Sequence, residues 1–184
     1  SIKKILEDNR IGEKIRDGFR VSIIGEVNAG KSSLLNLLSK REVAIVSEEE
    51  GTTRDVIEVF LNLDGYPVIL ADTAGIREAK NEIEKKGISL ALDKSKDADL
   101  NIIMIDNSSK VINNKITDLI NNDSIVLLNK SDIKDNQNYK FDADTILVSV
   151  KDNKNIDILT KKLKEKLSNK FISNNSILIT RERH

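Results

Sequence analysis

The sequence predicts an α/β fold, in which a doubly wound, mostly parallel sheet of six strands carries helices on both faces. Short apolar runs alternate with helix-like segments, a glycine-bounded loop joins the first apolar run to the first helix, and Asp64-Gly65 separates two β-type runs. Alternating strands and helices are typical of a parallel sheet. Because Asp-Gly between two such runs indicates a tight hairpin, we expect one antiparallel edge strand.

Each element follows from the spacing of apolar residues. The predicted strands are Arg20–Ile24, Val56–Leu63, Tyr66–Ala71, Leu100–Ile105, Ser124–Leu128 and Thr145–Val148. The predicted helices are Lys31–Ser39, a segment from Lys86 toward Asp97, Val111–Ile120 and Ile156–Leu167. The stretch Lys40–Arg54 is weakly periodic and carries three consecutive glutamates, which predicts a mobile loop.

The composition argues against several classes of protein. The 184 residues carry no formal net charge, so no overall basic field favours bulk nucleic-acid binding. The chain has no Cys and a single His at its last position, so disulfides and Cys- or His-bound metals are not expected. No apolar run approaches the about 18 residues of a membrane span, and no membrane contact is expected.

The first motif, Gly25 to Ser32, reads G-E-V-N-A-G-K-S between a strand and a helix. That pattern in that context predicts a phosphate-binding loop, whose backbone N–H groups and helix N-terminus attract phosphate. Lys31 is expected to reach the β- and γ-phosphates, and the Ser32 hydroxyl to bind Mg²⁺. The predicted nucleotide contacts of this loop are Asn28, Ala29, Gly30, Lys31, Ser32 and Ser33.

The second motif, D-T-A-G, ends the second strand of the hairpin. An aspartate at that strand end can hold Mg²⁺ through water, and a glycine N–H can reach the γ-phosphate without steric hindrance. The predicted contacts are Asp72, Thr73, Ala74 and Gly75.

The third motif, N-K-S-D, predicts recognition of guanine. The Asp132 carboxylate can accept both N1–H and the exocyclic amino group of guanine, whereas adenine would leave the carboxylate unpaired. The aliphatic stem of Lys130 can lie over the base, and Asn129 can tie the loops together. After the sixth strand, a weaker motif, Ser149-Val150-Lys151, suits a backbone contact to guanine O6. The predicted ligands are therefore GTP and GDP.

The mobile loop ends in Gly51-Thr52-Thr53-Arg54-Asp55, where a threonine can complete the Mg²⁺ shell only when the γ-phosphate is present. Ile76 follows the D-T-A-G motif, where many GTPases place a Gln that orients the attacking water. Because Ile cannot form that hydrogen bond, either turnover is negligible or another group holds the water. Arg54 and Arg77 are the candidates for an arginine finger.

These motifs follow strand ends on one edge of the predicted sheet, the edge at which open α/β sheets bind ligands. Together they resemble the translation-factor-like GTPases. The longer runs G-E-V-N-A-G-K-S-S-L-L-N, A-I-V-S-E-E-E-G-T-T-R-D-V, D-T-A-G-I-R-E and N-K-S-D resemble the G domain of the bacterial tRNA modification GTPases of the MnmE, or TrmE, family. The resemblance covers residues 18–170 and implies the P-loop GTPase fold, GTP hydrolysis and a cytoplasmic location.

The resemblance also implies a mechanism in which K⁺ takes the place of an arginine finger. Asn28 would supply its side-chain ligand, and Thr52 and the carbonyls of Ser47 and Glu49 would complete the site. Glu84 would be the catalytic residue that orients water. The resemblance also implies that Lys31, Thr53 and Gly75 take part in catalysis. Ser32 and Thr53 would bind Mg²⁺, and Ser47, Thr52 and Thr53 would contact GTP. Glu50 departs from the small or apolar residue that is usual in the family.

In this family K⁺ draws two G domains together across their switches, so a second G domain is an expected partner. The resemblance implies that residues 1–17 and 171–184 connect the G domain, 18–170, to a helical domain that the sequence lacks. The whole protein would act with an FAD-dependent partner on the wobble uridine of tRNA. Two alternatives stay open: a nucleotide switch with little turnover, and a ribosome-assembly GTPase, for which the chain lacks a basic RNA-binding region.

Overall fold

A computed structural model describes residues 18–41, 44–45, 57–72, 89, 92–134 and 137–180. Within these ranges seven strands form one sheet in the order β2-β3-β4-β1-β5-β6-β7. The strands are β1 Phe19–Gly25, β2 Ala44–Ile45, β3 Ile57–Leu63, β4 Tyr66–Asp72, β5 Leu100–Asp106, β6 Ser124–Asn129 and β7 Asp144–Leu147.

The sheet confirms the predicted fold class. Five neighbouring strands, β4, β1, β5, β6 and β7, are parallel, while β3 pairs with β4 in antiparallel register through the Asp64-Gly65 turn. All six predicted strands are present. The prediction that Lys40–Arg54 is entirely a loop is wrong in part: Arg41 ends a helix, and the two-residue strand β2 pairs with β3 on its outer edge.

The helices are α1 Lys31–Arg41, α2 Asn114–Thr117 and α3 Ile156–Thr180, and residues 92–97 are also helical. The predicted helix Val111–Ile120 is wrong in extent, because only one turn forms there. Asn113 caps this turn by accepting a hydrogen bond from the Lys115 N–H, so the polar residues begin the helix later than the apolar spacing indicates. Helix α3 continues past residue 167, through the expected domain boundary at residue 170.

Two apolar clusters cover the two faces of the sheet. On one face, Leu34 and Leu38 of α1 and Leu159 and Leu163 of α3 pack on the central strands. On the other face, Ile116 of α2 packs with strand residues such as Ile103. Helices on both faces thus bury the alternating apolar side chains of each strand, as a doubly wound sheet requires.

Lysines of α3 bind acidic groups at the end of the sheet where the parallel strands begin. Lys166 donates to Asp144 over 2.9 Å and Lys170 lies 3.3 Å from Asp123, while Lys164 pairs with Asp64. The hydrogen bond from Lys166 lowers the pKa of Asp144 below its usual value. These three lysines lie at the surface and are paired, and each such pair stabilises the fold only weakly.

The strand order places a ligand-binding crevice at one edge. Strands β2 to β4 lie on one side of β1, and β5 to β7 lie on the other side. The point where the strand order reverses is therefore between β1 and β5. Open α/β sheets bind ligands at the carboxyl ends of the strands at such a point. Gly25 is essential to this junction, because a Cβ there would lie 2.3 Å from the carbonyl oxygen of Met104. No helix in the described ranges is both long and apolar enough to cross a membrane.

The packing of α3 generates a stability prediction. Leu163 is 1% exposed, whereas Ile158 on the same helix is 45% exposed. The substitution Leu163→Ala should lower the free energy of unfolding by about 2–5 kcal/mol, because it leaves a cavity in the core. The control Ile158→Ala should change it by less than about 1 kcal/mol. Urea unfolding measures both, and equal losses would show that α3 does not pack as described.

Candidate functional site

The phosphate-binding loop curls because two of its residues adopt left-handed backbone conformations. Asn28 has φ 64° and Gly30 has φ 105°, and the Ala29 N–H donates to the Glu26 carbonyl over 3.2 Å. Lys31 begins α1 and is 5% exposed. Its ammonium donates to the carbonyls of Gly25 at 2.9 Å and Glu26 at 2.5 Å, which holds the charge within the loop.

Asn129, at the end of β6, joins three loops at this edge. Its side-chain amide donates to the Ala29 carbonyl over 2.8 Å, and its side-chain oxygen accepts the Val150 N–H over 3.0 Å. Its own carbonyl accepts the Asn107 N–H over 2.9 Å. Asn129 is 4% exposed, and these bonds satisfy its buried polar atoms. The structure thus places the phosphate-binding loop, N-K-S-D and Ser149-Val150-Lys151 side by side, as predicted.

A Cβ on Gly30 would lie 2.4 Å from the Asn129 amide nitrogen. The second glycine of the phosphate-binding loop is therefore required for two reasons: its φ and the space that Asn129 occupies.

The side chain of Ser149 holds the carboxylate of Asp132 in place. The Ser149 hydroxyl donates to Asp132 Oδ1 over 2.8 Å and accepts the Asp152 N–H over 3.2 Å. The hydrogen bond from Ser149 lowers the pKa of Asp132 below its usual value, so this carboxylate is ionised at neutral pH. Ser149 thus fixes the Asp132 carboxylate through its side chain. The sequence predicted only a backbone contact to guanine for this motif.

Lys130 has a partner that the sequence did not reveal. Its ammonium donates to Asp106 Oδ2 over 2.5 Å, and its backbone is left-handed with φ 65°. Partial burial acts to raise the pKa of Asp106, but the hydrogen bonds from Lys130 and Ser108 outweigh it and hold that pKa below its usual value. The available signal was an aspartate at the carboxyl end of a buried strand.

Glu26 is a second residue whose contact the sequence did not predict. Its carboxylate accepts the Asn113 N–H over 2.6 Å, which connects the phosphate-binding loop to the segment after β5. No local pattern indicates this contact, because the two residues are 87 positions apart.

Several predicted site residues lie outside the described residues. Asp72 ends β4 on the predicted edge, and its backbone alone is described. The predicted site residues that lie wholly outside the described ranges are Ser47, Glu49, Glu50, Thr52, Thr53, Arg54, Thr73, Ala74, Gly75, Ile76, Arg77 and Glu84. In the part of the chain that the structure describes, no three acidic, His or Cys side chains form a metal-binding group.

Comparison with known proteins agrees with this geometry. The family described as 50S ribosome-binding GTPase matches residues 20–130, which is more than half of the chain. The chain belongs to this GTPase family. The match runs from Arg20, in β1, to Lys130 and so includes the phosphate-binding loop. The predicted class of a P-loop GTPase domain is confirmed.

Curated relatives of this GTPase domain confirm the narrower resemblance. The chain is 56% identical over its whole length to the tRNA modification GTPase MnmE of Pelagibacter ubique, and it spans 42% of that protein. It is 44% identical to the tRNA modification GTPase MnmE of Rickettsia bellii, of which it spans 43%. The GTPase domain is therefore less than half the length of the relatives it matches.

Solved structures share the fold. A point variant of Aquifex aeolicus Era, bound to GDP and AlF₄⁻, is 26% identical with a TM-score of 0.59, over 80% of this chain and 56% of that one. The G domain of the T. maritima FeoB iron transporter is 22% identical with a TM-score of 0.59, over 81% of this chain and 98% of that one. The second likeness shows the fold alone.

The three-way contact of Asn129 generates a stability prediction. The substitution Asn129→Ala leaves the Ala29 carbonyl and the Val150 N–H unpaired, and each buried unpaired group costs about 1–3 kcal/mol. The control Asn62→Ala removes a similar side-chain acceptor at the exposed Gly65 N–H. Urea unfolding without nucleotide should show a loss of at least about 2 kcal/mol for Asn129→Ala and less than about 1 kcal/mol for Asn62→Ala. Equal losses would contradict the bridging role.

Proposed function

We propose that this domain binds GTP and GDP at the carboxyl edge of its sheet and hydrolyses GTP. The observation that carries the proposal is the bridge formed by Asn129, which holds the phosphate-binding loop beside the loop that contains Asp132. A nucleotide has a phosphate end and a base end, and the two loops match these ends in chemistry. Family membership supports the same function.

At the phosphate end, the curled loop and the first turn of α1 would bind the anion. Left-handed residues in the loop turn successive N–H groups toward one side, and the helix N-terminus adds positive potential. Lys31 already has its charge inside the loop, 2.5 Å from the Glu26 carbonyl. The proposed contacts here are Asn28, Ala29, Gly30, Lys31, Ser32 and Ser33.

At the base end, the ionised Asp132 carboxylate would accept the two N–H groups on one edge of guanine. Ser149 occupies one carboxylate oxygen and fixes its orientation, which reduces the freedom lost when guanine binds. Adenine offers no such pair of donors and would leave the charge unpaired. The backbone of Ser149-Val150-Lys151 would contact O6, while Asn129 and Lys130 complete the base site.

The proposed metal is Mg²⁺, bound by the Ser32 hydroxyl at the start of α1 and by Thr53, with Asp72 acting through water. Ser32 and the end of β4 lie on the same edge of the sheet, and hydroxyl and carboxylate oxygens suit Mg²⁺. Mg²⁺ would offset the charge of the β- and γ-phosphates. Thr73, Ala74 and Gly75 would bind near the γ-phosphate.

For hydrolysis we propose that Glu84 orients water, and that K⁺ supplies the positive charge that other GTPases obtain from arginine. Asn28 would bind K⁺ through its side chain, together with Ser47, Glu49 and Thr52. Of these four, the structure describes only Asn28, which is exposed at the rim of the loop. A fixed cation there would stabilise charge that develops between the β- and γ-phosphates. We further propose that the ion brings two G domains together across their switch faces.

The larger role is proposed from the relatives. The relatives from Pelagibacter ubique and Rickettsia bellii bear the name tRNA modification GTPase MnmE, and this domain aligns along its whole length with about two fifths of each. We propose that the domain drives a tRNA wobble-uridine modification in which an FAD-dependent partner takes part, in the cytoplasm. A switch module with little turnover is the alternative favoured by Ile76, which cannot orient water.

Guanine recognition yields a prediction. In Asp132→Asn the side chain offers one acceptor and one donor group, so GTP should bind about 10- to 100-fold more weakly. Xanthosine triphosphate, which has a carbonyl in place of the guanine amino group, should then bind better than GTP. The control Asp142→Asn makes the same charge change at an exposed position.

Calorimetric titration of GTP, xanthosine triphosphate and ATP checks this prediction. The wild type should bind GTP and not ATP, and Asp142→Asn should behave like the wild type. Equal binding of ATP and GTP by the wild type would contradict the proposed base site.

The ion proposal yields a second prediction. Single-turnover GTP hydrolysis should be faster in KCl than in NaCl at equal ionic strength, because the smaller Na⁺ fits a K⁺ site poorly. Asn28→Ala should reduce this difference by removing a side-chain ligand. The rate of ³²P-phosphate release from γ-labelled GTP measures it. Equal rates in both salts would remove K⁺ from the mechanism, and no release in either salt would favour the switch module.

A further inference from the structure

The contact between Asp106 and Lys130 lies at the base end of the proposed nucleotide site and has no assigned role. Lys130 Nζ is 2.5 Å from Asp106 Oδ2, and the two side chains are 31% and 20% exposed. Asp106 ends β5 and lies in register with Asn129, which ends β6. The parallel pairing of two neighbouring strands therefore brings the carboxylate beside the lysine that follows Asn129.

Asp106 is itself held in place. Its other oxygen, Oδ1, accepts the Ser108 N–H over 2.9 Å and the Ser108 hydroxyl over 2.6 Å. A backbone hydrogen bond from the Ser109 N–H to the Asp106 carbonyl, 3.1 Å long, closes the same turn. The carboxylate is thus a fixed acceptor, because three donors bind its two oxygens and the turn restrains its backbone.

Lys130 is consequently restrained at both ends. Its left-handed backbone follows the buried Asn129, and its ammonium is bound to the fixed carboxylate. Between these two points lies a four-carbon stem that can cover an apolar surface. A free lysine side chain loses much rotamer entropy when it packs on a ligand, whereas a lysine already held in one conformation loses little.

We propose that Asp106 is a positioning residue for guanine-nucleotide binding, which holds the stem of Lys130 in place as one wall of the purine site. This inference rests on the proposed function. Asp106 acts through Lys130 and does not touch the base. Because guanine is selected by Asp132, the effect of Asp106 is on affinity, and it is the same for GMP, GDP and GTP.

The test is a double-mutant cycle with GDP, because the domain does not hydrolyse this ligand during the titration. The variants are Asp106→Ala, Lys130→Ala and the double variant, with affinities measured by titration calorimetry. Each single variant should bind GDP about tenfold more weakly. The double variant should be no weaker than Lys130→Ala alone, because Asp106 has no other route to the nucleotide.

Two further variants separate positioning from folding. Asp106→Asn keeps an acceptor for Ser108 and removes the charge that holds Lys130, so it should remain folded and bind GDP about threefold more weakly. Asp144→Ala removes two ion pairs with α3 at the opposite end of the sheet, and its GDP affinity should equal that of the wild type. If Asp106→Ala does not fold, the GDP affinity of Asp106→Asn decides whether Asp106 has the proposed role.

The outcomes are distinguishable. If Asp106→Asn and Asp106→Ala bind GDP like the wild type, or if the losses from Asp106→Ala and Lys130→Ala add in the double variant, the positioning role is wrong and the proposed function stands. If the wild type binds neither GDP nor GTP, the proposed function fails. Losses that grow with the number of phosphates would also overturn the inference, because they would place Asp106 at the phosphate end.

Discussion

One buried amide, the side chain of Asn129, holds the candidate site together. Its donor binds a carbonyl of the phosphate-binding loop, 100 positions earlier in the chain, and its acceptor binds a backbone amide of the segment after β7. A buried amide is costly unless both its ends are paired, so the two loops cannot separate without leaving polar atoms unpaired. Gly30 must remain a glycine because this amide lies where its Cβ would be.

The positive charges of the site are held by oxygen atoms of the chain itself. Two carbonyls bind the ammonium of Lys31, and a carboxylate binds that of Lys130. The chain as a whole has no net charge, so attraction of a nucleotide depends on where these groups lie and not on an overall field.

The segment after β5 links the two ends of the site. Just before it, at the end of β5, Asp106 binds Lys130 of the N-K-S-D motif, and the Asn113 N–H within it binds Glu26 of the phosphate-binding loop. A shift of this segment would therefore affect the phosphate-binding loop and the N-K-S-D motif at once. The contacts give it a structural role that its polar, irregular sequence does not indicate.

Sequence patterns predicted the strands, the hairpin, the helix after the phosphate-binding loop and the grouping of three motifs at one edge. They could do so because apolar spacing, Asp-Gly turns and glycine-bounded loops act over a few residues, and because parallel strands end at the same edge. The same patterns failed at Val111–Ile120, where a cap shortened the helix, and at Ala44–Ile45, where pairing with β3 made a strand of a weakly periodic segment.

The partners of Glu26, Asp106 and Ser149 could not be found in this way. Each depends on a side chain that meets a residue between 17 and 87 positions away, and only the strand order and register bring the two together. Local motifs determine the chemistry of the site, because recognition of phosphate and guanine needs particular groups at close spacing in the sequence. Its rigidity was decided by tertiary structure, because long-range hydrogen bonds exist only once the sheet has paired.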